Sequence, residues 1–136
     1  MDKLSPERRS ENMRRIRSSN TKPELAVRRL VHRMGFRFRL HSKLPGRPDL
    51  VFPSKKRVVF INGCFWHQHC EKRCQDARVP KSNLSFWIPK LQRNKARDIV
   101  NRRKLSRLGW KTLVVWDCQL RNEEKLANRL VKFLSA

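Results

Sequence analysis

The chain has 136 residues, enough for one domain with a hydrophobic core, and its 34 Lys and Arg residues against 11 Asp and Glu give a formal net charge of +23. It contains no apolar run of membrane-spanning length and no signal-peptide pattern, so we expect a cytoplasmic protein of bacterial type. A folded domain of this size must carry that charge on its surface, which predicts a polyanionic partner, most commonly nucleic acid.

The first 20 residues are predicted to form a basic arm. Ser5-Pro-Glu7 has the composition of a helix start, and the segment from there to about Arg17 holds many arginines and few apolar side chains. Such a polar helix becomes ordered only against the edge of a core or on DNA. A solvated arm and a clamp on DNA are both open at this point. Residues 21–136 are predicted to form the main domain.

A helix and then a strand are predicted next. Thr21-Lys-Pro-Glu24 fits the S/T-x-x-E capping box, and apolar residues at helical spacing continue to Gly35, which suits the position just beyond a helix. Glu24 therefore has a structural use as the cap partner, and a place facing an active site is the alternative. Apolar residues alternate with basic ones over 36–40, which predicts a strand with one buried face.

Two more strands follow and complete a predicted three-strand meander. A turn over 44–48 leads into an apolar strand over 50–52. A second turn over 53–56 leads into a buried strand over 57–61.

The C-terminal half is predicted to be helix, strand and helix. A loop runs into a helix that ends at Gly109 and contains Pro89, so that this helix either starts near Ile88 or is kinked. A buried strand over 110–116 and a last helix capped by Asn122 complete the order α-α-β-β-β-α-β-α. This order predicts one mixed-sheet α/β domain.

Residues 62–74 concentrate metal-ligating side chains, with three of the four cysteines and two of the four histidines. Without a secretory signal, cysteines indicate metal binding or free thiols rather than disulfides. Structural zinc takes four Cys or His ligands, and we expect these four: Cys64, His69, Cys74 and Cys118. Cys118 can take part if the strand over 110–116 lies near the strand over 57–61. Cys70 is the alternative to Cys74, and free or buried thiols are the alternative to zinc.

One carboxylate and one imidazole are the candidates for chemistry. Asp49 begins a strand, where it could hold Mg²⁺ with a phosphate or merely cap the turn. Nucleases with this scaffold often place a second acid on the next strand, but here that place reads Phe-Ile-Asn, so the Ile61 carbonyl is the candidate ligand, with Asn62 nearby. His67 could act as a general base, or pack, or contact phosphate.

Two aromatic pairs, Phe65-Trp66 and Phe86-Trp87, fall in predicted loops. In a basic protein, loop aromatics can stack on bases or wedge between them. Core filling is the alternative for one member of each pair.

Five blocks of the sequence occur, in the same order, in a known family: Asn12-Met-Arg-Arg-Ile-Arg-Ser-Ser-Asn-Thr-Lys-Pro-Glu24, Leu44-Pro-Gly-Arg-Pro-Asp49, Gly63-Cys-Phe-Trp-His67, Pro80-Lys-Ser-Asn83 with Phe86-Trp87, and Trp116-Asp-Cys118. From near residue 8 to near its end, the chain resembles the very-short-patch-repair (Vsr) DNA mismatch endonucleases. The second and third blocks are highly specific to that family.

The resemblance implies a restriction-endonuclease-like fold of the PD-(D/E)XK type, with a structural zinc site. It implies Mg²⁺-dependent nicking of duplex DNA 5′ to the T of a T:G mismatch, the lesion left when 5-methylcytosine deaminates. A DNA cytosine methyltransferase is then the functional companion, mismatch-repair proteins are further candidate partners, and the nucleoid is the place of action. A monomer is expected, since no heptad pattern is visible. A nuclease of the same fold with a different DNA target, and a non-catalytic zinc-stabilised nucleic-acid-binding module, are the alternatives.

The resemblance also assigns catalytic roles by position. Asp49 and the backbone carbonyl of Ile61 would hold Mg²⁺, and His67 would be the general base. Asn62 stands where some members have a His near the metal, and Asp98 falls where an acid recurs that could orient His67. Three aromatic side chains would enter the DNA stack beside the mismatch: Phe65, Trp66 and Trp87.

The zinc ligands implied by the resemblance include Cys64, His69 and Cys118. Cys74 is preferred over Cys70 for the remaining place because it keeps the better spacing to Pro80-Lys81. The basic arm would clamp the DNA from the minor groove, and residues 21–136 would be the endonuclease domain.

Overall fold

The computed structural model describes residues 21–40, 42–64 and 84–135. Over these ranges it has three α-helices and three strands: α1 (Lys22–Arg33), β1 (Leu50–Phe52), β2 (Arg57–Asn62), α2 (Leu84–Arg107), β3 (Lys111–Trp116) and α3 (Glu123–Ser135). The basic arm over 1–20 lies outside the described residues. So do these predicted site residues: Phe65, Trp66, His67, His69, Cys70 and Cys74.

The three strands form one mixed sheet in the order β1-β2-β3. β1 and β2 are antiparallel, with Leu50 opposite Val59. β2 and β3 are parallel and stay in register to their ends, where Asn62 lies opposite Trp116. α2 connects these parallel strands, which is the usual crossover for such a pair. The carboxyl ends of β2 and β3 therefore lie side by side at the same end of the sheet.

Helices cover both faces of the sheet, because successive side chains of each strand point to opposite faces. One face packs on α1 and α3, and its core includes Leu50, Val59 and Val115 together with Val27 of α1 and Leu130 of α3. The other face packs on α2 through this cluster: Val51, Val58 and Leu105. The observed architecture is thus a mixed α/β domain, as predicted.

The helix ends follow the predicted capping signals. The Thr21 hydroxyl accepts a hydrogen bond from the Glu24 backbone N–H at 3.5 Å, and the Asn122 side chain accepts one from the Lys125 N–H at 3.1 Å. Gly109 has φ +87° just beyond α2, a left-handed conformation that glycine adopts without a steric penalty. These local signals were sufficient because capping depends on residues within one turn.

The predicted strand over 36–40 is wrong as a full strand. Its pairing is a single bridge between Arg39 and Val51, with backbone hydrogen bonds of 2.9 and 3.0 Å in the two directions. The prediction of which side chains face the core is nevertheless correct, since Phe36, Phe38 and Leu40 pack on it. Alternation of apolar and polar residues buries one face of a segment, but a ladder also needs a partner strand aligned along its length, and here the pairing is confined to Val51 in the middle of β1.

The position of the Phe86-Trp87 pair also differs from the prediction. Both residues lie in the first turn of α2 rather than in a loop, because α2 begins at Leu84, and Pro89 lies inside the helix. A proline there removes one backbone hydrogen bond, to the carbonyl of Ser85, and the surrounding turns continue. Among the described helices, none combines the length and the apolar character that a membrane span requires.

Candidate active site

Asp49 is fixed at the edge of the sheet where β1 begins. Its backbone N–H donates to the Val59 carbonyl at 3.0 Å, and its carboxylate oxygen Oδ2 accepts from the Ile61 N–H at 2.6 Å. The ladder between β1 and β2 ends at the pair of Leu50 and Val59. Beyond that pair, the Asp49 carboxylate takes the place of a backbone carbonyl as the acceptor for the Ile61 N–H. The carboxylate is half-buried, and its direction is set by the backbone of β2.

The Ile61 carbonyl lies on the same side of β2 as this carboxylate. In a strand, the N–H and the C=O of one residue point to the same neighbouring strand, and the direction alternates from residue to residue. Since the Ile61 N–H points at Asp49, the Ile61 carbonyl points to the same edge. The two oxygens predicted to hold Mg²⁺ therefore share one edge of the sheet.

These two donors fit the preferences of Mg²⁺. Carboxylate and carbonyl oxygens are its usual protein ligands, and it commonly keeps several waters, so that one or two protein ligands suffice. A carboxylate has acceptor capacity beyond one hydrogen bond. Within the described ranges, no group of three or more Cys, His, Asp or Glu side chains is arranged to hold a metal ion. A site built on Asp49 and a carbonyl would not appear as such a group.

The loop that carries Asp49 is held against α2 at Gly46. Gly46 has φ +77°, and a Cβ placed there would lie 3.0 Å from the Asn101 Cβ and 3.2 Å from the Phe60 ring. The Arg47 N–H donates to the Leu44 carbonyl at 2.9 Å and closes the turn. The close approach of loop to helix thus requires glycine on two grounds, the positive φ and the lack of space.

α2 runs antiparallel to β2. Leu105 packs with Val58, whereas Asn101, one turn earlier, lies beside Phe60. Asp98 is three residues before Asn101 on the same side of the helix and is half-buried, so it lies further toward the carboxyl end of β2. His67, the residue that Asp98 is predicted to orient, lies outside the described residues.

Cys64 and Cys118 come together at the carboxyl ends of the two parallel strands. Cys64 lies two residues after Asn62, and Cys118 lies two residues after Trp116, the partner of Asn62 in the ladder. The Cys118 N–H donates to the Cys64 sulfur at 3.5 Å. Cys64 is buried, Cys118 is half-buried, and among the described residues neither forms a disulfide. The condition placed on Cys118 from the sequence, that its strand lies near β2, is met. Two cysteines on adjoining strand ends could supply half of the ligands of a tetrahedral zinc site.

Glu24 lies in the first turn of α1, where the Arg28 guanidinium donates to its carboxylate at 3.3 Å. Both side chains are largely buried. The Glu24 carboxylate thus forms an ion pair within α1, and its place at an active site stays a prediction. Asn62, the other supporting residue, is buried at the end of β2 and lies on the face that α2 covers, by the alternation from Val58 and Phe60.

Phe86 and Trp87 form an edge-to-face pair, with ring centroids 4.9 Å apart. Phe86 is 53% exposed, while Trp87 is half-buried. The Lys90 ammonium lies 5.5 Å from the centroid of the Phe86 ring. The sequence reasoning missed Lys90, although a basic residue four positions after an aromatic one on a helix is a signal for such a contact. It also missed Asn101, for which no local signal exists.

Comparison with known proteins identifies relatives along the whole chain. A family model described as DNA mismatch endonuclease Vsr matches residues 1–73. The chain is 50% identical over 134 residues to the type II nicking enzyme V.XorIIP of Xanthomonas oryzae, covering 98% of this chain and 96% of that protein. It is 43% identical over 136 residues to the type II nicking enzyme V.NmeAIP of Neisseria meningitidis, with coverage of 96% and 94%. It is 40% identical over 121 residues to the DNA mismatch endonuclease Vsr of Escherichia coli, with coverage of 88% and 76%. The chain therefore belongs to the Vsr family of DNA mismatch endonucleases.

Proposed function

We propose that this protein is an endonuclease that nicks one strand of duplex DNA 5′ to the T of a T:G mismatch, in the repair of deaminated 5-methylcytosine. The observation that supports the proposal best is the fixed pair of oxygen donors, the Asp49 carboxylate and the Ile61 carbonyl, at one edge of the sheet. Membership of the Vsr family and the net charge of +23 support a DNA substrate.

In this proposal, Asp49 and the Ile61 carbonyl hold Mg²⁺. When bound, the ion supplies charge neutralisation at the scissile phosphate and at the leaving oxygen. His67 takes a proton from the attacking water, whose oxygen forms a bond to phosphorus as the bond to the leaving oxygen breaks. Asp98 orients His67, and the buried Asn62 lines the end of β2 close to the donors.

The remaining assigned residues bind and open the DNA. Phe65, Trp66 and Trp87 enter the base stack beside the mismatch, where unstacking costs less than in a regular duplex. The arm over 1–20 clamps the DNA from the minor groove, and residues 21–136 form the endonuclease domain. Cys64, His69, Cys118 and Cys74, with Cys70 as the alternative to Cys74, would hold a structural zinc ion, which would tie the segment containing His67 to the ends of β2 and β3.

A strand-specific nicking assay tests the reaction. A labelled duplex with one T:G mismatch and a matched T:A duplex are incubated with the full chain, with Mg²⁺ and with a chelator. A nick only 5′ to the mismatched T, and only with metal, is the expected result. Tight binding of every duplex without any nick would contradict the proposal and favour a binding module.

Asp49→Asn is the sharpest variant for the metal assignment. An amide oxygen can still accept the hydrogen bond from the Ile61 N–H, so the fold should be kept while the charge that Mg²⁺ needs is removed. We expect nicking to be lost. We also expect binding of the duplex in chelator to be equal or tighter, since a carboxylate beside a phosphate is repulsive. Nicking at the normal rate by this variant would refute the assignment.

A second candidate is a nuclease of the same family that acts on a different mismatch or sequence context. It is favoured by one observation: the relatives that share 50% and 43% identity carry the name of nicking enzymes. A panel of mismatches in several flanking sequences separates the two candidates. A methyltransferase whose target sequence coincides with the preferred context would be the functional companion.

A further inference from the structure

α2 carries much more positive charge than the proposed chemistry uses. Between Lys90 and Arg107 it has eight Lys or Arg residues and a single acid, Asp98. The proposed function uses only two residues of this helix, Trp87 in its N-terminal turn and Asp98. The exposed basic side chains further along the helix are left without a role.

We propose that one flank of α2, formed by Arg93, Arg97 and Lys104 and extended by Arg47, binds the backbone phosphates of the DNA that flanks the cleavage position. We call these four residues the α2 stripe. The inference rests on the proposed function, because it assumes that the cut strand passes Asp49. It goes beyond that function by assigning a second DNA-binding surface, distinct from the aromatic residues and from the arm.

The contact at Gly46 decides which flank of α2 faces the cleavage position. Asn101 approaches the Gly46 backbone, and Asp49 lies three residues further along the same loop. Arg97 precedes Asn101 by four residues and Lys104 follows it by three, so all three share one side of the helix. Arg97 and Lys104 therefore lie on the flank next to the loop that carries Asp49.

The opposite flank provides a natural control. At about 100° per residue, Lys95 and Arg102 project about 100–120° from the direction of Asn101, whereas Arg97 and Lys104 project about 40–60° from it on the other side. All four side chains, Arg97, Lys104, Lys95 and Arg102, are exposed to solvent. The two flanks thus match in charge, in residue type and in exposure, and differ in their position relative to Asp49.

Length and charge suit a phosphate backbone. Arg93 and Lys104 are separated by a rise of about 16 Å along the helix, which corresponds to about five nucleotides at about 3.4 Å per nucleotide. The Arg97 guanidinium donates to the Asn94 side chain at 2.8 Å, which holds it on the helix surface toward the N-terminal end of α2. At about 100° per residue, the half-buried Asp98 projects from α2 about 100–140° around the helix axis from the exposed Arg93, Arg97 and Lys104.

Such contacts should be electrostatic and independent of sequence. Each phosphate neutralised by a basic side chain contributes about 0.9 to the slope of log affinity against log salt concentration. Loss of Arg97 and Lys104 should therefore reduce the slope by about 1.8. If the unmodified protein and the variant without these two charges have equal affinities when extrapolated to 1 M salt, the variant should bind DNA about 60-fold more weakly at 0.1 M salt.

The test compares R97Q/K104Q with K95Q/R102Q and the unmodified protein. Affinity for a fluorescent T:G duplex is measured by anisotropy in chelator over a range of salt concentrations, with thermal melting to verify folding. We expect the reduced slope in R97Q/K104Q alone, by the same amount on T:G and T:A duplexes. The charge-conserving variant R97K/K104R should keep the original slope, which separates charge from packing.

The result that overturns the inference is an equal slope for the two double variants. Nicking by the unmodified protein is measured in parallel with Mg²⁺. If that protein nicks the T:G duplex and the two slopes agree, the stripe is wrong and the proposed function stands. If the unmodified protein does not nick the T:G duplex, but R97Q/K104Q alone shows a reduced salt slope of DNA binding, the proposed function is wrong and the DNA-binding surface stands.

Discussion

Replacing Gly46 with alanine should both destabilise the protein and displace the Asp49 carboxylate that we propose for metal binding. The new Cβ would lie 3.0 Å from the Asn101 Cβ, 3.2 Å from the Asn101 side-chain nitrogen and 3.2 Å from the Phe60 ring, at a φ of +77°. The left-handed conformation costs a non-glycine residue about 1–2 kcal/mol. Overpacking at a tight contact costs about 1–3 kcal/mol more. We therefore expect the free energy of unfolding to fall by roughly 2–5 kcal/mol.

The effect on nicking should exceed the effect on folding. Part of the strain is relieved if the loop moves away from α2, and such a movement carries Asp49 with it. A displacement of about 1 Å at a reacting group can cost about 100-fold in rate. We expect the nicking rate of the folded protein, measured at saturating T:G duplex well below the melting temperature, to fall by at least about tenfold.

Gly35→Ala is the matched control. Gly35 has φ +92°, but nothing lies within 4 Å of the position of its Cβ, and it ends α1 rather than holding Asp49. Urea denaturation should show the loss expected from backbone conformation alone, about 1–2 kcal/mol, with unchanged nicking by the folded protein. If both variants lose the same stability and nick at the same rate, the contact between loop and helix does not position Asp49.

Two further predictions concern the zinc ligands and a buried arginine. The proposed zinc site predicts one zinc ion per chain of purified protein by elemental analysis, and Cys118→Ser should lower that content to well below one. Unchanged zinc content in this variant would remove Cys118 from the proposed ligand set. Arg57 is buried, and its guanidinium donates to the Phe133 carbonyl near the end of α3 and lies 5.5 Å from the Phe133 ring centroid. Arg57→Gln should lower the free energy of unfolding by about 1.5–3 kcal/mol in urea denaturation without changing the salt slope of DNA binding; an unchanged unfolding midpoint would show that this bond contributes nothing.

Short-range patterns predicted most of the secondary structure correctly. The caps at Thr21 and Asn122 depend on neighbouring residues only, and the buried strand over 57–61 is apolar enough to be recognised alone. The predictions failed where the outcome depends on a distant partner. The segment over 36–40 has the alternation of a strand, but it pairs through the single bridge between Arg39 and Val51, and the extent of such pairing depends on a partner elsewhere in the chain.

The candidate site shows the same contrast between what local sequence predicts and what depends on distant partners. Asp49, Cys64 and Cys118 were selected from the sequence because their types and surroundings indicate metal binding. Their relative positions follow from the sheet, since the parallel register of β2 and β3 brings Cys64 and Cys118 together. The contact of Asn101 with Gly46 has no signature in either segment, because it depends on how α2 crosses the sheet.

The sequence by itself determined the family, the charge that favours a DNA partner, and the types of side chain available for chemistry. Motifs and net charge are properties of the chain, and folding does not change them. The tertiary structure decided that the Ile61 backbone and the Asp49 carboxylate share one edge, and which flank of α2 faces that edge. Both depend on strand pairing and helix packing between residues far apart in the chain, which no local pattern encodes.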